Sequence, residues 1–544
     1  MIALSNLNKI VKNGLDLVKQ ESGLIEALVY ASVNHRTVGR IVYTTHLPCN
    51  GLEEPKSEED SGIAVEIWFK KGNKKLVGFG HEPNDISLSG VKRALAKAKW
   101  DAVEDPDFNG FLKPSEVSSQ GLSEGRDDPA QRSLDFARDD VLRQIATSQA
   151  PRNDQNLIEM TFKEEAKMLA KLSWEVIEGS IDGLEQYAKQ KNLSPKDLAF
   201  ILNGDNLIIR ERMALASTNG IEDCDESTVF LSFLTAMLEK ENAKGSAWGS
   251  RIAVDDEFSA YEIGKKAALA AVNAVGGKRI EGKKYKVVFG PQAVTELFGN
   301  LLLPNLNLGM MDFGASIFTA KYGQNVASPL LTLYDDATLP GGAGSKRITC
   351  EGCLTGKTKL IEKGKLVGFL SDSRTTSKML NKPKESAVKL GADPHEIRHA
   401  ISPRNGFRFS EGGGRVAVAG IGIHATNLVI ESHQPMTEGE ILSKVGDGIY
   451  IGRLWYTYPV GGISSGIISG TAIADNYVIR NGKLAEPILP NTLRIEDNIG
   501  EMIKRIIGIG NNQIPTILWA SDEITHAPWV AMDGVNFVEI NKGK

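Results

Sequence analysis

The chain is short of the residues that most often bind metals or lock a fold covalently: its 544 residues hold eight His and four Cys. Four Cys in so long a chain make no disulfide framework, and Cys49 and Cys224 stand alone in the sequence. A reducing cytoplasm is the simplest compartment for such thiols. No segment approaches the roughly 18 uninterrupted apolar residues that suggest a membrane span. The opening MIALSNLNKIVKNGLDLVKQ alternates apolar and polar residues where a signal peptide would have a continuous apolar core. A strong charge of either sign is also missing. The net charge of −5 gives no field to recruit nucleic acid, so neither membrane nor nucleic acid is an expected partner.

What is present is ordinary globular composition, 41% hydrophobic and 24% charged, with length enough for several domains. Periodicity predicts a first helix over 5–30, strands at 39–45 and 62–80, and a Lys/Ala-rich helix ended by Asp105-Pro106. A long helix is expected from Thr161 to Gln190. Strands follow at 206–216 and 228–240, then a helix capped by Asp255 or Asp256 that stops at Gly276-Gly277. Beyond this point glycine is frequent and strands are short. Pro291 opens a helix to about Leu303. Lys363-Gly364 and Asn481-Gly482 sit between apolar alternations as hairpin turns do. Strands are expected at 415–430, 448–458 and 466–480, and short helices at 438–445 and 496–507. The expected class is α+β, with an α/β N-terminal half and a β-rich, mainly antiparallel C-terminal half. The expected division is 1–110 and 157–277 for the first half, 278–544 for the second, and 111–156 as an inserted loop. That loop stands out because 121–155 holds five Arg and no Lys, in a chain whose other basic residues are mostly Lys. An exposed insertion without catalytic duty is expected there, whether it is a translated repetitive element or an ordinary charged loop.

One string has the spelling of a catalytic metal site. His395-Glu396-Ile397-Arg398-His399 reads HExxH; on a helix both imidazoles would share a face and hold zinc, with Glu396 as general base. Asp393 and Pro394 suit the start of such a helix, and Asp393 with Glu396 spells a capping box. The structural alternative is a short capped surface helix with two exposed His, limited by Pro403. No third ligand follows nearby, although His424, His433 and the Cys350/Cys353 pair could be brought in by folding. Cys350-Glu351-Gly352-Cys353 lacks the second pair of a zinc ribbon and reads as two reduced thiols near a turn. Gly356-Lys357-Thr358 imitates the end of a phosphate loop, but Glu351 stands where its first glycine belongs. Arg453, Trp455, Tyr456 and Tyr458 form an aromatic-basic cluster that could wall a peptide site or face a core.

Several strings together resemble the TldD/PmbA family, also called modulator of DNA gyrase or the microcin-processing peptidase family. They are KYKVVFGPQAVTELFGN at 284–300, YDDATLPGGAGSKR at 334–347, EGCLTGKTKLIEKGKLVGFLSD at 351–372, ATNLVIESHQPMTEGEIL at 425–442 and the run from GDGIYIGRLWYTYPVGG at 446 to 489. GFGHEPND at 78–85, LASTNGI at 215–221 and the tail at 499–510 extend the likeness. The resemblance implies a cytoplasmic peptidase built from an active subunit and a paralogous partner. It places His-Glu-x-x-x-His on the helix after the Val-Val-x-x-Pro strand, with a Cys completing the zinc site. Here that helix, Gln292 to Asn300, contains no His, so the chain is similar to the PmbA (TldE) type. The implied partner is a TldD-type zinc-bearing subunit or a second copy of the chain. The implied substrate is unfolded peptide added to sheet edges within a protected cleft. This reading needs no cofactor in the chain itself. The alternatives are a self-contained zinc peptidase using His395, Glu396 and His399, and a non-enzymatic peptide-binding or modulatory protein.

Overall fold

The computed structural model describes residues 2–47, 49, 51–105, 161–251, 259–518 and 523–540. The expected insertion at 111–156 lies outside them, as do Asp255 and Asp256.

The N-terminal half is organised by one antiparallel sheet in the order β5-β4-β3-β1-β6-β7-β8, with β2 pairing β1. Its strands are β1 (Leu24–Thr44), β2 (Gly51–Leu52), β3 (Lys56–Lys71), β4 (Lys74–Pro83), β5 (Val103–Glu104), β6 (Phe200–Ser217), β7 (Glu222–Leu238) and β8 (Ala243–Arg251). Among the described residues four helices cover one face: α1 (Leu4–Val18), α2 (Leu88–Trp100), α3 (Phe162–Gln190) and α4 (Ala260–Asn273). Alternation along β1 sets which side is covered. Ala27, Val29, Ala31 and Val33 pack under α1 and α2, whose Leu7, Val11, Leu15, Val91 and Leu95 follow helical spacing. Leu28 and Tyr30 point the other way, toward Ile348, Cys350 and Phe407 of the C-terminal half. α2 lies directly on its strand because β4 offers glycine. A Cβ on Gly80 would sit 2.0 Å from the Ala94 carbonyl oxygen.

The first helix is shorter than its periodicity predicts. It ends at Val18, Gly23 turns the chain at φ +76°, and 24–30 enter β1. Pairing with both β3 and β6 overrides the helical reading of this apolar run. The long helix starts where expected, with Thr161 and Glu164 forming a capping box. α4 is capped by Ser259 rather than by either Asp.

The C-terminal half holds two larger sheets. One runs β12-β11-β10-β15-β22-β21 and uses β10 (Thr332–Asp336), β11 (Lys357–Glu362), β12 (Lys365–Leu366), β15 (Asn427–Glu431), β21 (Ile514–Ile517) and β22 (Ile524–Ala527). The other uses β9 (Lys284–Phe289), β16 (Gly448–Pro459), β17 (Ile467–Arg480), β18 (Lys483–Pro487), β19 (Leu493–Asn498), β20 (Ile506–Ile509) and β23 (Val530–Glu539). Its order is β16-β9-β23-β19-β17-β18, and β16 also pairs β17, so five of its strands close into a ring. β13 (Gly406–Phe407) and β14 (Gly422–Ile423) form a small ribbon. Pairing is antiparallel except for β16 with β9 and β15 with β22. The class is therefore α+β.

Two expectations fail here. Within 415–430 only 422–423 and 427–430 are strand; the rest is bends and irregular chain. The segment 496–507 is not one helix. β19 runs to Asn498, a helix over Ile499–Met502 and a 3-10 turn over Ile503–Arg505 follow, and β20 begins at Ile506. The hairpins at Lys363-Gly364 and Asn481-Gly482 form as predicted, with positive φ at all four residues.

Candidate functional site

The long sheet turns its second face to the C-terminal half. Ile209, Val229 and Leu231 meet Ala343, Ile517 and Ile524 there. Beside this contact the two halves part to leave a cleft of about 440 Å³. Arg40, Asp205 and Thr235 line it from β1, β6 and β7, and Gln292, Arg453 and Trp455 line it from the other side.

The far wall is built by the segment after β9. Pro291 starts α5 (Pro291–Thr295), and the chain continues as a π-helix from Glu296 to Leu302. The predicted single helix is thus widened in its middle, a distortion common at functional sites. Ala293, Val294, Leu297 and Phe298 are fully buried in the core of this half, which fixes the helix and turns its polar positions toward β16. Gln292 Nε2 donates to Glu296 Oε1 at 3.0 Å, and the Thr457 hydroxyl donates to the other Glu296 oxygen. Burial pushes the Glu296 carboxyl above its ordinary value; the bonds from Thr457, Asn300 and Gln292 oppose this. Gln292 Oε1 also accepts the Leu454 amide at 2.9 Å, and Asn300 Nδ2 donates to the Thr457 carbonyl at 3.1 Å.

β16 is irregular where it faces the cleft. Its register with β17 shifts between Arg453 and Leu454 and again between Trp455 and Tyr458. Tyr456 and Asp475 adopt positive φ, +49° and +54°, inside strands rather than at turns. Bulges and left-handed residues of this kind re-aim side chains and gather at functional sites. Here they aim Arg453 across the seam. Its Nη1 donates to Thr235 Oγ1 at 2.6 Å, and its guanidinium lies over the Trp455 ring at 5.3 Å. Burial lowers the Arg453 pKa, with Asp475 and Glu296 opposing. Desolvation pushes Asp475 up to about 7 despite the nearby Arg453. Arg40 is matched in place: its Nε and Nη2 reach the two Asp205 oxygens at 2.8 and 3.3 Å.

Of the sequence candidates, Arg453 and Trp455 reach this cleft, while Tyr456 and Tyr458 are exposed beyond it. His395, Glu396 and His399 lie elsewhere. They occupy a turn leading into a 3-10 helix over Arg398–Ile401, not the α-helix the HExxH spelling requires. All three are exposed. Asp393 Oδ1 accepts the His395 amide at 2.9 Å, a local turn rather than a helical capping box. His399 Nε2 is 3.4 Å from the Tyr322 hydroxyl. Among the described residues no three His, Cys, Asp or Glu side chains converge as a metal site. Cys350 and Cys353 are buried free thiols, with Cys350 Sγ 3.7 Å from the Tyr30 hydroxyl. The sequence reading missed Glu296, Asp475, Arg40 and Asp205. Glu296 had a signal, a lone carboxylate in an apolar run; the others become neighbours only through long-range pairing.

Comparison with known proteins adds the family. Residues 282–539 match the family described as PmbA/TldA metallopeptidase C-terminal domain. The chain carries a PmbA/TldD-family C-terminal domain. A metalloprotease of Synechocystis is 28% identical over 250 residues, 45% of this chain and 46% of that one. A metalloprotease TldD homolog of Buchnera aphidicola is 24% identical over 409 residues, 70% of this chain and 77% of that one. In three of the curated relatives, the Synechocystis protein included, the match spans about half of the relative's length. The crystal structure of TldE from Thermococcus kodakarensis superposes with a TM-score of 0.70 at 17% identity, covering 98% of this chain and all of that one. A putative modulator of DNA gyrase from Thermotoga maritima gives 0.68 at 17% identity, covering 97% and 99%. At such identity these structures establish the shared fold. The zinc of a metallopeptidase does not fit the helix beside this cleft. Gln292, Glu296 and Asn300 offer two amides and one carboxylate that is already hydrogen-bonded, where zinc takes imidazole, thiolate or free carboxylate donors.

Proposed function

We propose that the chain is the PmbA/TldE-type subunit of a TldD/PmbA peptidase assembly in the cytoplasm. In this reading it holds unfolded peptide in the cleft while a TldD-type partner supplies the zinc and the hydrolysis. The observation that carries the reading is the helix at 291–302. It borders the cleft but carries no imidazole, and its one carboxylate is bound by Thr457 and Gln292. The names of the metalloprotease relatives and the TldE fold support a place in this family. Among the described residues no helix is long and apolar enough to cross a membrane.

The chain's own contribution is then enclosure. Two walls fixed by separate cores exclude water from a bound segment, and polar side chains orient it. The test is reconstitution with the cognate TldD-type subunit. Co-elution and a gain in cleavage of an unfolded model peptide are expected. Independent elution with no gain in cleavage refutes the pairing, and a stable homodimer active alone refutes the division of labour.

A further inference from the structure

We infer that Phe233 and Trp455 wall a socket for a large apolar side chain of the bound peptide, and that this socket, rather than any charge, selects the ligand. The inference rests on the peptide-holding reading above and names the kind of peptide the cleft prefers.

Three observations carry it. First, the floor of the cleft is unfinished core. Val229, Leu231, Phe233 and Thr235 alternate along β7 onto one face of the long sheet. Val229 and Leu231 are buried there against Ile517 and Ile524 of the C-terminal half, but Phe233 is only partly covered where the two halves part. Val42 of β1 lines the same cleft and is also only half-buried. On the opposite wall the half-buried Trp455 ring is held by the Arg453 guanidinium over it at 5.3 Å and by Tyr456, edge-to-face at 6.2 Å. An apolar guest between these walls would remove from water the surface that the parting of the halves leaves wet. Second, the size fits. A cleft of about 440 Å³ lies within the roughly 300–1,000 Å³ of ligand pockets, whose linings are mainly apolar and aromatic. Third, the charges that line the cleft are engaged by the protein itself. Arg40 and Asp205 form a two-point pair. Arg453 donates to Thr235, and the carboxyls of Asp475 and Glu296 act on its charge. A charged guest therefore loses hydration without a compensating partner, whereas an apolar guest has little hydration to lose.

The full chain is titrated against a series of fluorescein-labelled unfolded peptides that differ only at one central position, which carries Ala, Leu, Phe, Lys or Glu. Anisotropy is expected to show the Leu and Phe forms binding about tenfold tighter than the Ala form, and the Lys and Glu forms no tighter than Ala. Calorimetry of the unlabelled Ala and Phe forms at several temperatures is expected to give a more negative heat-capacity change for Phe, the mark of apolar burial. Phe233→Ala and Trp455→Ala are each expected to cut the preference for Phe over Ala to about threefold or less. Circular dichroism and thermal melting check the fold of each variant. If neither variant folds, the peptide series and the heat-capacity difference on the unaltered chain still decide. Equal binding across the series, a preference for Lys or Glu, an equal heat-capacity change for Ala and Phe, or a preference for Phe that survives both variants overturns the inference and leaves the peptide-holding reading intact. No binding of any peptide overturns both.

Discussion

Arg415 Nε lies 3.0 Å from Glu211 Oε1, with both side chains enclosed at the seam between the long sheet and the C-terminal half. Arg415 Nη1 also reaches Asp225 Oδ2 at 2.9 Å, and Lys346 Nζ approaches Glu211 at 3.2 Å. Buried charges so arranged are costly to separate, because removing one leaves the others desolvated. Arg415→Met is expected to destabilise the chain by about 3–5 kcal/mol, read from urea unfolding. A change below about 1 kcal/mol would mean that the seam is wet.

The same residues set a pH signature. Burial would raise the Glu211 pKa, but Arg415 and Lys346 outweigh it and hold the carboxyl at about 2. A depressed acid stabilises the fold above its unfolded pKa of roughly 4, and that contribution is lost as pH falls toward 2. Asp335 and Asp475 act in the opposite sense, each raised to about 7 by burial. The folded chain keeps their protons while the unfolded chain gives them up near pH 4, so stability falls as pH rises from about 4 to about 7. Asp475→Asn is expected to flatten part of that fall. Urea midpoints across the window measure it, and an unchanged slope refutes the assignment to Asp475.

Much of this was legible in residue order, and the exceptions have physical causes. The helix start at Thr161, Pro291 at a helix start and the two hairpin glycines depend on a few residues each, so local pattern is enough to read them. The strand expected at 39–45 is the second part of β1; its first part was hidden because Leu24–Tyr30 has an apolar spacing that suits a helix equally well, and only pairing on both edges decides it. The cleft was half visible. Arg453 and Trp455 are close in sequence, whereas Thr235 lies 218 positions from the arginine that it binds. Glu296 could be noticed but not explained, since its partner Thr457 is 161 positions away.

The HExxH spelling gives a direct chemical test. With His395 and His399 exposed on a turn and a 3-10 helix, the pair lacks the shared helical face that gives zinc two ligands. Metal analysis of the purified chain is expected to find well under one zinc per molecule, with His395→Ala no different. Stoichiometric zinc lost in His395→Ala would restore the self-contained peptidase with Glu396 as its base.

Close packing of α2 on β4 supplies a fourth expectation. A Cβ at Gly80 would press on the Ala94 carbonyl and lie 2.5 Å from the Ala98 amide nitrogen, both of them backbone atoms with little room to yield. Gly80→Ala is expected to destabilise by about 1–3 kcal/mol, seen as a lowered melting temperature. An unchanged melting temperature would show that the helix can lift from the strand.

The two amide side chains on the cleft helix have a consequence for how this molecule meets other backbones. Past Ile451 the pairing of β16 with β9 ends, which would leave that side of β16 without a neighbouring strand. Gln292 and Asn300 occupy it instead, taking the Leu454 amide and the Thr457 carbonyl as a strand's main chain would. They act as a short imitation strand. An approaching strand therefore finds the Leu454 amide and the Thr457 carbonyl already engaged. By the same logic the imitation guards against uninvited pairing, and a chain stripped of Gln292 would offer neighbouring copies a fresh place to add a strand.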